Sequence, residues 1–293
     1  GERLAFSTDT FVVTPHFFPG GDIGRLAVCG TVNDVATSGA VPKYLSIGMV
    51  LEEGFPMSDL ERICATIART AEEAGVHVVT GDTKVVNRGH GDGIYINTAG
   101  IGLIPEGRDL SGASCKPGDA VIVSGTIGDH GITIMSQRED LSFSTALKSD
   151  AAPLNHLIAR VLDAVPDVRC FRDPTRGGLA STLNEFAEQS GVDIVISEDD
   201  VPIKDAVRGA CDMLGYDPFQ VANEGKMVCV APADQAQAVI DAMRAGRYGE
   251  DAAVVGTIEE SRPERGHKVL LETGFGSRRI LDMLVGEQLP RIC

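Results

Sequence analysis

The stretch from Pro105 to Asp119 constrains the chain most. It is rich in Gly, Pro and Ser, carries no apolar periodicity, and separates two long segments that each alternate strand-like and helix-like patterns. A chain of 293 residues is too long for one typical core and suits two domains of ordinary size. The pattern therefore predicts two α/β halves, the first ending near Ile104, followed by a C-terminal tail.

In the first half, Arg3 to Asp9 reads as a strand that delivers a carboxylate at its end. After Pro19-Gly20-Gly21-Asp22 the apolar spacing turns helical, with Asp22 as N-cap and Asn33-Asp34 near the far end. Tyr44 to Leu51 is a buried strand. Ser58 to Ala74 is a helix opened by an S-x-x-E pattern, Ser58 with Glu61, and closed by Gly75. Val76 to Thr80 is a short strand running into Gly81-Asp82-Thr83-Lys84, and Ile94 to Ile104 is another strand. In the second half, strands are expected at 120–125, 192–197, 227–231, 252–258 and 268–271. Helices are expected after Gly128 and at 154–165, up to Gln189, at 204–214 and at 234–244, with a polar loop at 143–150 and a helical turn over 278–284.

Lys and Arg total 26 against 42 Asp and Glu, a net charge of -16 that would repel a nucleic-acid backbone. An acidic chain still binds a polyphosphate when cations bridge its carboxylates to the phosphates. No apolar run approaches the roughly 20 residues needed to cross a bilayer. The first ten residues lack the marks of a signal peptide, so a cytoplasmic protein is expected. The seven cysteines are odd in number, widely spaced and without a C-x-x-C pair, which disfavours a zinc site or a disulfide framework.

No G-x-x-x-x-G-K-S/T, H-E-x-x-H or G-x-S-x-G occurs, so P-loop nucleotide binding, zinc proteolysis and serine hydrolysis find no support. What remains is a set of carboxylates at element ends, Asp9, Asp34, Asp82 and Asp173. Each alone reads as a cap or turn residue; together they are the hard oxygen donors that Mg²⁺ on a nucleotide needs. Lys84 beside Asp82 could neutralise a transferred phosphate. Asp173-Pro174-Thr175-Arg176-Gly177-Gly178, entering a helix, forms a candidate anion cradle, and Asn223-Glu224-Gly225-Lys226 is a polar turn before a strand. The chain ends Pro290-Arg291-Ile292-Cys293, a thiol on an arm with roughly 30 Å of extended reach at about 3.3 Å per residue. That is enough to enter a cleft between the halves.

These motifs, from Phe6-Ser7-Thr8-Asp9 through Asn33-Asp34-Val35-Ala36, Gly81-Asp82-Thr83-Lys84, Gly128-Asp129-His130-Gly131, Asp173 to Gly178 and Asn223 to Lys226 to the Pro-Arg-Ile-Cys end, closely resemble the HypE family of NiFe-hydrogenase maturation proteins. Several are shared with the wider aminoimidazole ribonucleotide synthetase-like superfamily. The resemblance implies an N-terminal ATP-binding and dimerisation domain over 1–107, whose sheet pairs with a second copy. A C-terminal α/β domain over 108–276 and a mobile tail over 277–293 follow. It implies that Cys293 receives a carbamoyl group from HypF, and that the S-carboxamide is dehydrated with ATP to a thiocyanate. The cyanide then passes to iron held by HypC and HypD. Asp9, Asp34, Asp82 and Asp173 would serve Mg²⁺ and ATP, with Asn33, Arg176 and Gly177 also at the nucleotide, and Lys84 and Glu224 would stabilise charge and move protons. Family members carry a further glycine-rich H-G-x-G-G segment ahead of the first strand, which this sequence does not include. The alternative to the dehydratase is a carrier that presents Cys293 to other maturation proteins without catalysis.

Overall fold

The computed structural model describes residues 2–139, 147–262, 266–283, 286 and 292–293. Strand β1 (Arg3–Phe11) is followed by a small hairpin, β2 (Phe17–Phe18) and β3 (Gly21–Asp22), and then by helix α1 (Ile23–Thr37). Strand β4 (Val41–Glu52), helix α2 (Met57–Ala74) and strands β5 (His77–Val86) and β6 (Ile94–Ile104) complete the first half. Its sheet has the order β1-β6-β4-β5, antiparallel except where α2 carries the chain across from β4 to a parallel β5.

One face of this sheet is covered by α1. Gly100 and Gly102 make that possible: a Cβ at Gly102 would lie 2.6 Å from Val35, and one at Gly100 2.8 Å from Thr31. The helix is buried all round, and only Arg25, Asp34 and Thr37 are even partly exposed. Asp22 caps it as the sequence predicts, accepting the Arg25 N–H at 3.0 Å. The opposite sheet face stays open. There Leu4 pairs with Leu103, and both Phe6 and Tyr44 pair with Ile101, placing a row of exposed apolar side chains across three strands.

The second half contains β7 (Asp119–Val123), α3 (Asp129–Arg138), α4 (Asn155–Ala164), β8 (Cys170–Arg172), α5 (Gly178–Ser190), β9 (Asp193–Ser197) and α6 (Asp205–Leu214). It continues with β10 (Val228–Pro232), α7 (Ala236–Arg244), β11 (Ala253–Glu259), β12 (Val269–Glu272) and β13 (Arg278–Ile280). Seven strands form one mixed sheet in the order β13-β12-β9-β11-β7-β10-β8. Val121 and Val123 face α5, while Ala120 and Ile122 face α4 and α7. Both faces are covered, which is why its central strands read as unbroken apolar runs.

The halves are clamped together through residues 151–155. Asn33 on α1 donates from Nδ2 to the Ala152 carbonyl at 3.0 Å and accepts the Leu154 N–H at 2.7 Å. Asn155 donates to the Ala74 carbonyl, and Arg25 donates to the Ala151 carbonyl, Glu73 and Tyr248. The apolar core is continuous across this seam, with Ile132, Ile134 and Val207 joining the cluster of Leu26 and Ile47.

Four expectations change. Helix α2 is capped by Pro56 with no side-chain hydrogen bond, so Ser58 and Glu61 form no capping box. Gly81 to Lys84 lie inside β5, because pairing with β4 continues to Val86. Arg278 to Ile280 is a strand, since pairing with β12 satisfies its backbone; Leu284 lies outside the described residues, as does the start of the expected 143–150 loop. Tyr44, expected in a buried strand, is exposed, because it lies on the open face of its sheet.

Asn33→Ala would strand the buried Ala152 carbonyl and Leu154 N–H together. A loss of about 2–4 kcal/mol is expected in denaturant unfolding, and a change under about 0.5 kcal/mol would show that the seam does not depend on this clamp.

Candidate functional site

The site lies where β1, α1 and the β8–α5 turn meet. Asp9 stands near the end of β1, its Oδ1 accepting the Thr10 N–H at 2.7 Å. Asp34, on the last turn of α1, accepts the Ser7 hydroxyl at 2.8 Å, which draws α1 and β1 together at this point. Asp173 follows β8 directly and is buried. The next residues bend sharply: Gly177 and Gly178 take φ of +74° and +60°, and a Cβ on Gly178 would lie 2.6 Å from the Val221 carbonyl oxygen. Only glycine fits there. Helix α5 thus starts without a side-chain cap, which leaves its first amides without side-chain partners from the cap residue.

Asn223 ties this turn to the rest. Its Nδ2 donates to the carbonyls of Pro174 and Val221, and its Oδ1 accepts the Gly128 N–H at 2.7 Å. The next residue, Glu224, is thereby fixed, and its own N–H donates to Asp150 at 3.1 Å. Gly225 passes so close to residue 150 that a Cβ would lie 1.8 Å from the Asp150 carbonyl oxygen. The Glu224 side chain is buried. It lies beside the Cys293 thiol, and its Oε1 has no hydrogen-bond partner. The tail therefore ends in the cleft of its own chain, with Ile292 packed into the core shared by the two halves. Leu289, Pro290 and Arg291 lie outside the described residues.

Burial and like charge set the protonation of the cluster. Asp173 is pushed up to about 7, first by burial and then by Asp34. Asp34 is raised by burial, against the Ser7 hydrogen bond and Arg172. Asp9, though more open to solvent, is raised by partial desolvation, with Asp34 adding to it. Glu224 is raised well above the ordinary carboxyl value by burial, with Asp173, Asp150 and Asp9 adding. Burial likewise raises the Cys293 thiol, reinforced by Glu224 and Asp9 and opposed by Arg176. At neutral pH the inward Cys293 is a thiol, not a thiolate.

Asp9, Asp34, Asp173, Arg176, Gly177, Glu224 and Cys293 are thus brought together. Asn33 is spent on the clamp. Asp82 and Lys84 stand elsewhere, on the exposed edge strand β5, paired with each other at 3.3 Å. Among the described residues no three Asp, Glu, His or Cys side chains converge closely enough to chelate a bare ion. Sequence reasoning missed Asp150 and Ser149, which carry no motif. It also gave His130 no role, because the partners of that side chain, Ser149 and Ile292, are distant in sequence.

Residues 1–104 match the model described as AIR synthase related protein, N-terminal domain, and residues 116–268 match the corresponding C-terminal domain. The carbamoyl dehydratase HypE of Azotobacter vinelandii is 53% identical over 292 residues, covering 99% of this chain and 84% of that protein. A crystal structure of the hydrogenase maturation protein HypE in complex with ATP superposes with a TM-score of 0.95 at 49% identity, covering 99% of this chain and 87% of that one. A HypE–HypF complex superposes at 0.92 with 47% identity, covering 96% and 90%. Likeness of this degree, along nearly the whole chain and through both sheets, makes this chain a member of the HypE carbamoyl dehydratase family.

Proposed function

We propose that this chain uses ATP to dehydrate an S-carboxamide on Cys293 to a thiocyanate, the source of the cyanide ligands in hydrogenase maturation. The observation that carries the reading is the position of the terminal thiol beside Glu224, a buried carboxyl whose Oε1 has no partner and which borders the Asp9, Asp34 and Asp173 cluster. An amide oxygen is a poor leaving group. Attack of that oxygen on the γ-phosphoryl group, with loss of one N–H proton, gives an O-phosphorylated imidate and ADP. Loss of phosphate with the second N–H proton then leaves the C≡N bond. Glu224, made more basic by burial and its acidic neighbours, is the group placed to take a proton from the nitrogen.

The raised, mutually repelling carboxylates are acceptor-only oxygens short of positive charge, which suits Mg²⁺. That ion keeps several waters and shares phosphate oxygens instead of demanding a closed protein cage. When bound, Mg²⁺ would neutralise phosphate charge, held by Asp9, Asp34 and Asp173. The inward thiol is poorly nucleophilic, so loading belongs elsewhere. The tail leaves the cleft to be carbamoylated by HypF, returns for dehydration, and delivers cyanide to HypC and HypD.

Two features favour a homodimer. The face bearing Leu4, Phe6, Tyr44 and Ile101 is exposed and apolar, and β5 is a ten-residue edge with little cover on either side. A second copy on this surface would bring Asp82 and Lys84 of one chain toward the cluster of the other. The units 1–107 and 108–276 would then divide nucleotide binding between them. The free thiols suit a cytoplasmic location, and no helix among the described residues is long and apolar enough to cross a membrane.

Glu224→Gln should bind ATP normally while dehydration of the carbamoylated chain falls by about 10²–10⁴-fold, read as loss of one water by intact mass. Normal turnover would remove Glu224 from the chemistry, and a carbamoyl adduct that ATP never changes in the wild type would make the chain a carrier.

Asp173, raised from 3.8 to about 7, binds its proton more tightly in the folded chain. The stability tied to this shift is present in full below pH 4 and is lost as pH rises through 7. Asp173→Asn should therefore stabilise the ligand-free chain at pH 8 by up to about 4 kcal/mol and much less at pH 5. Parallel stability curves for the two chains would contradict the assignment.

Phe6→Asp should give a monomer in sedimentation velocity; an intact dimer would move the interface off this sheet.

A further inference from the structure

His130 takes no part in the chemistry above, yet its ring is fully buried at the wall of the cleft. It is the second residue of α3, whose start is fixed by Gly128 in the left-handed region. Its Nε2 lies 2.8 Å from the carbonyl oxygen of Ile292, and its Nδ1 lies 2.8 Å from Ser149 Oγ. A carbonyl oxygen only accepts, so Nε2 must carry the proton. Ser149 Oγ accepts the Ala151 N–H at 3.1 Å and donates its own O–H to Nδ1, which lacks a proton in this tautomer. The ring is thus a neutral imidazole with one tautomer satisfied at both nitrogens. Burial favours that neutral form, although Asp150 opposes it.

The surroundings leave the ring little freedom. Phe18 meets it edge-on, with ring centroids 5.7 Å apart and planes at 81°. Ser149 is anchored in turn by its N–H to the Pro19 carbonyl at 2.8 Å, where a Cβ on Gly20 would lie 2.5 Å from the Ser149 carbonyl oxygen. The packing of the Ile292 side chain is non-directional and would tolerate sliding along the cleft. A hydrogen bond to the residue's carbonyl does not, because it fixes the peptide that leads into Cys293.

We propose that His130 is the positioning residue for Cys293: its Nε2–H holds the Ile292 carbonyl, sets the register of the tail, and so places the thiol against Glu224. Breaking this bond is the step that frees the tail for loading. When the tail departs, a buried donor loses its partner, so the inward position is favoured at rest. The consequence for catalysis rests on the dehydratase reading; the latch itself is a property of the resting chain.

The first test needs neither ATP nor a carbamoyl donor. Alkylation by iodoacetamide is followed at each cysteine by peptide mass spectrometry, with exposed Cys64 as the internal rate standard and buried Cys29 and Cys229 as monitors of the fold. His130→Ala should speed alkylation of Cys293 about tenfold, equivalent to about 1.4 kcal/mol, with Cys29 and Cys229 still protected. His130→Gln, which keeps an N–H at a similar reach, should bring the rate to within about threefold of wild type. An unchanged Cys293 rate in a protected His130→Ala chain overturns the proposal, as does failure of the Gln variant to restore it. If His130→Ala exposes Cys29 and Cys229, Ser149→Ala decides instead. It removes the donor to Nδ1 and should speed Cys293 roughly two- to fivefold; no change there is equally fatal.

A kinetic split adds a readout that general destabilisation would not produce. On the carbamoylated chain, His130→Ala should slow ATP-dependent loss of water about tenfold without slowing acquisition of the carbamoyl group. Slower loading with normal dehydration would contradict the assigned role. If the alkylation result holds and neither chain loses water with ATP, the latch stands and the dehydratase reading falls.

Discussion

The structure depends on the burial of α1 on every side. A helix flanked by solvent needs one apolar stripe; α1 lies between the first sheet, α2 and α4, and is apolar or small nearly all round. Gly100 and Gly102 let it settle close to β6. Its partly exposed polar positions then have defined work. Arg25 gathers Ala151, Glu73 and Tyr248, while Asp34 emerges beside Asp9 and Asp173. Packing that joins the two halves therefore also assembles the site.

That assembly stores electrostatic strain. Three aspartates and Glu224, brought together with little compensating positive charge, raise one another's proton affinity and make the ligand-free seam less stable as pH rises. On the proposed reading the same arrangement favours a cationic, phosphate-bearing ligand, and it raises the proton affinity of Glu224, the proposed base. It also leaves Cys293 protonated when inward, so one pocket does not serve both thiol loading and dehydration. A tail that moves between two sites, as proposed above, would resolve the conflict, with the His130 hydrogen bond to Ile292 as its inward stop.

Much of this was legible in the residues. Asp22 caps α1, Gly75 ends α2 in the left-handed conformation, and β6 spans the residues its pattern indicated, because each is a local rule with a local cause. The misses share a different cause. Gly81 to Lys84 look like a loop by composition, but an adjacent strand completes their hydrogen bonds and extends β5. Arg278 to Ile280 have helical spacing and pair with β12 instead. Ser58 and Glu61 have capping-box spacing, but Pro56 takes the cap position.

The two α/β halves, the carboxylates at element ends and the cysteine-terminated arm are readable from the residues alone, since spacing, turn chemistry and family motifs are all written along the chain. Which of those groups meet depends on packing between segments far apart in the chain. Asn33 became a clamp because the buried backbone at 152 and 154 needed partners. Asp82 and Lys84 stayed apart because β5 is the far edge of its sheet. His130 gained a role because its partners, Ser149 and Ile292, are distant in sequence and are brought together by packing across the seam.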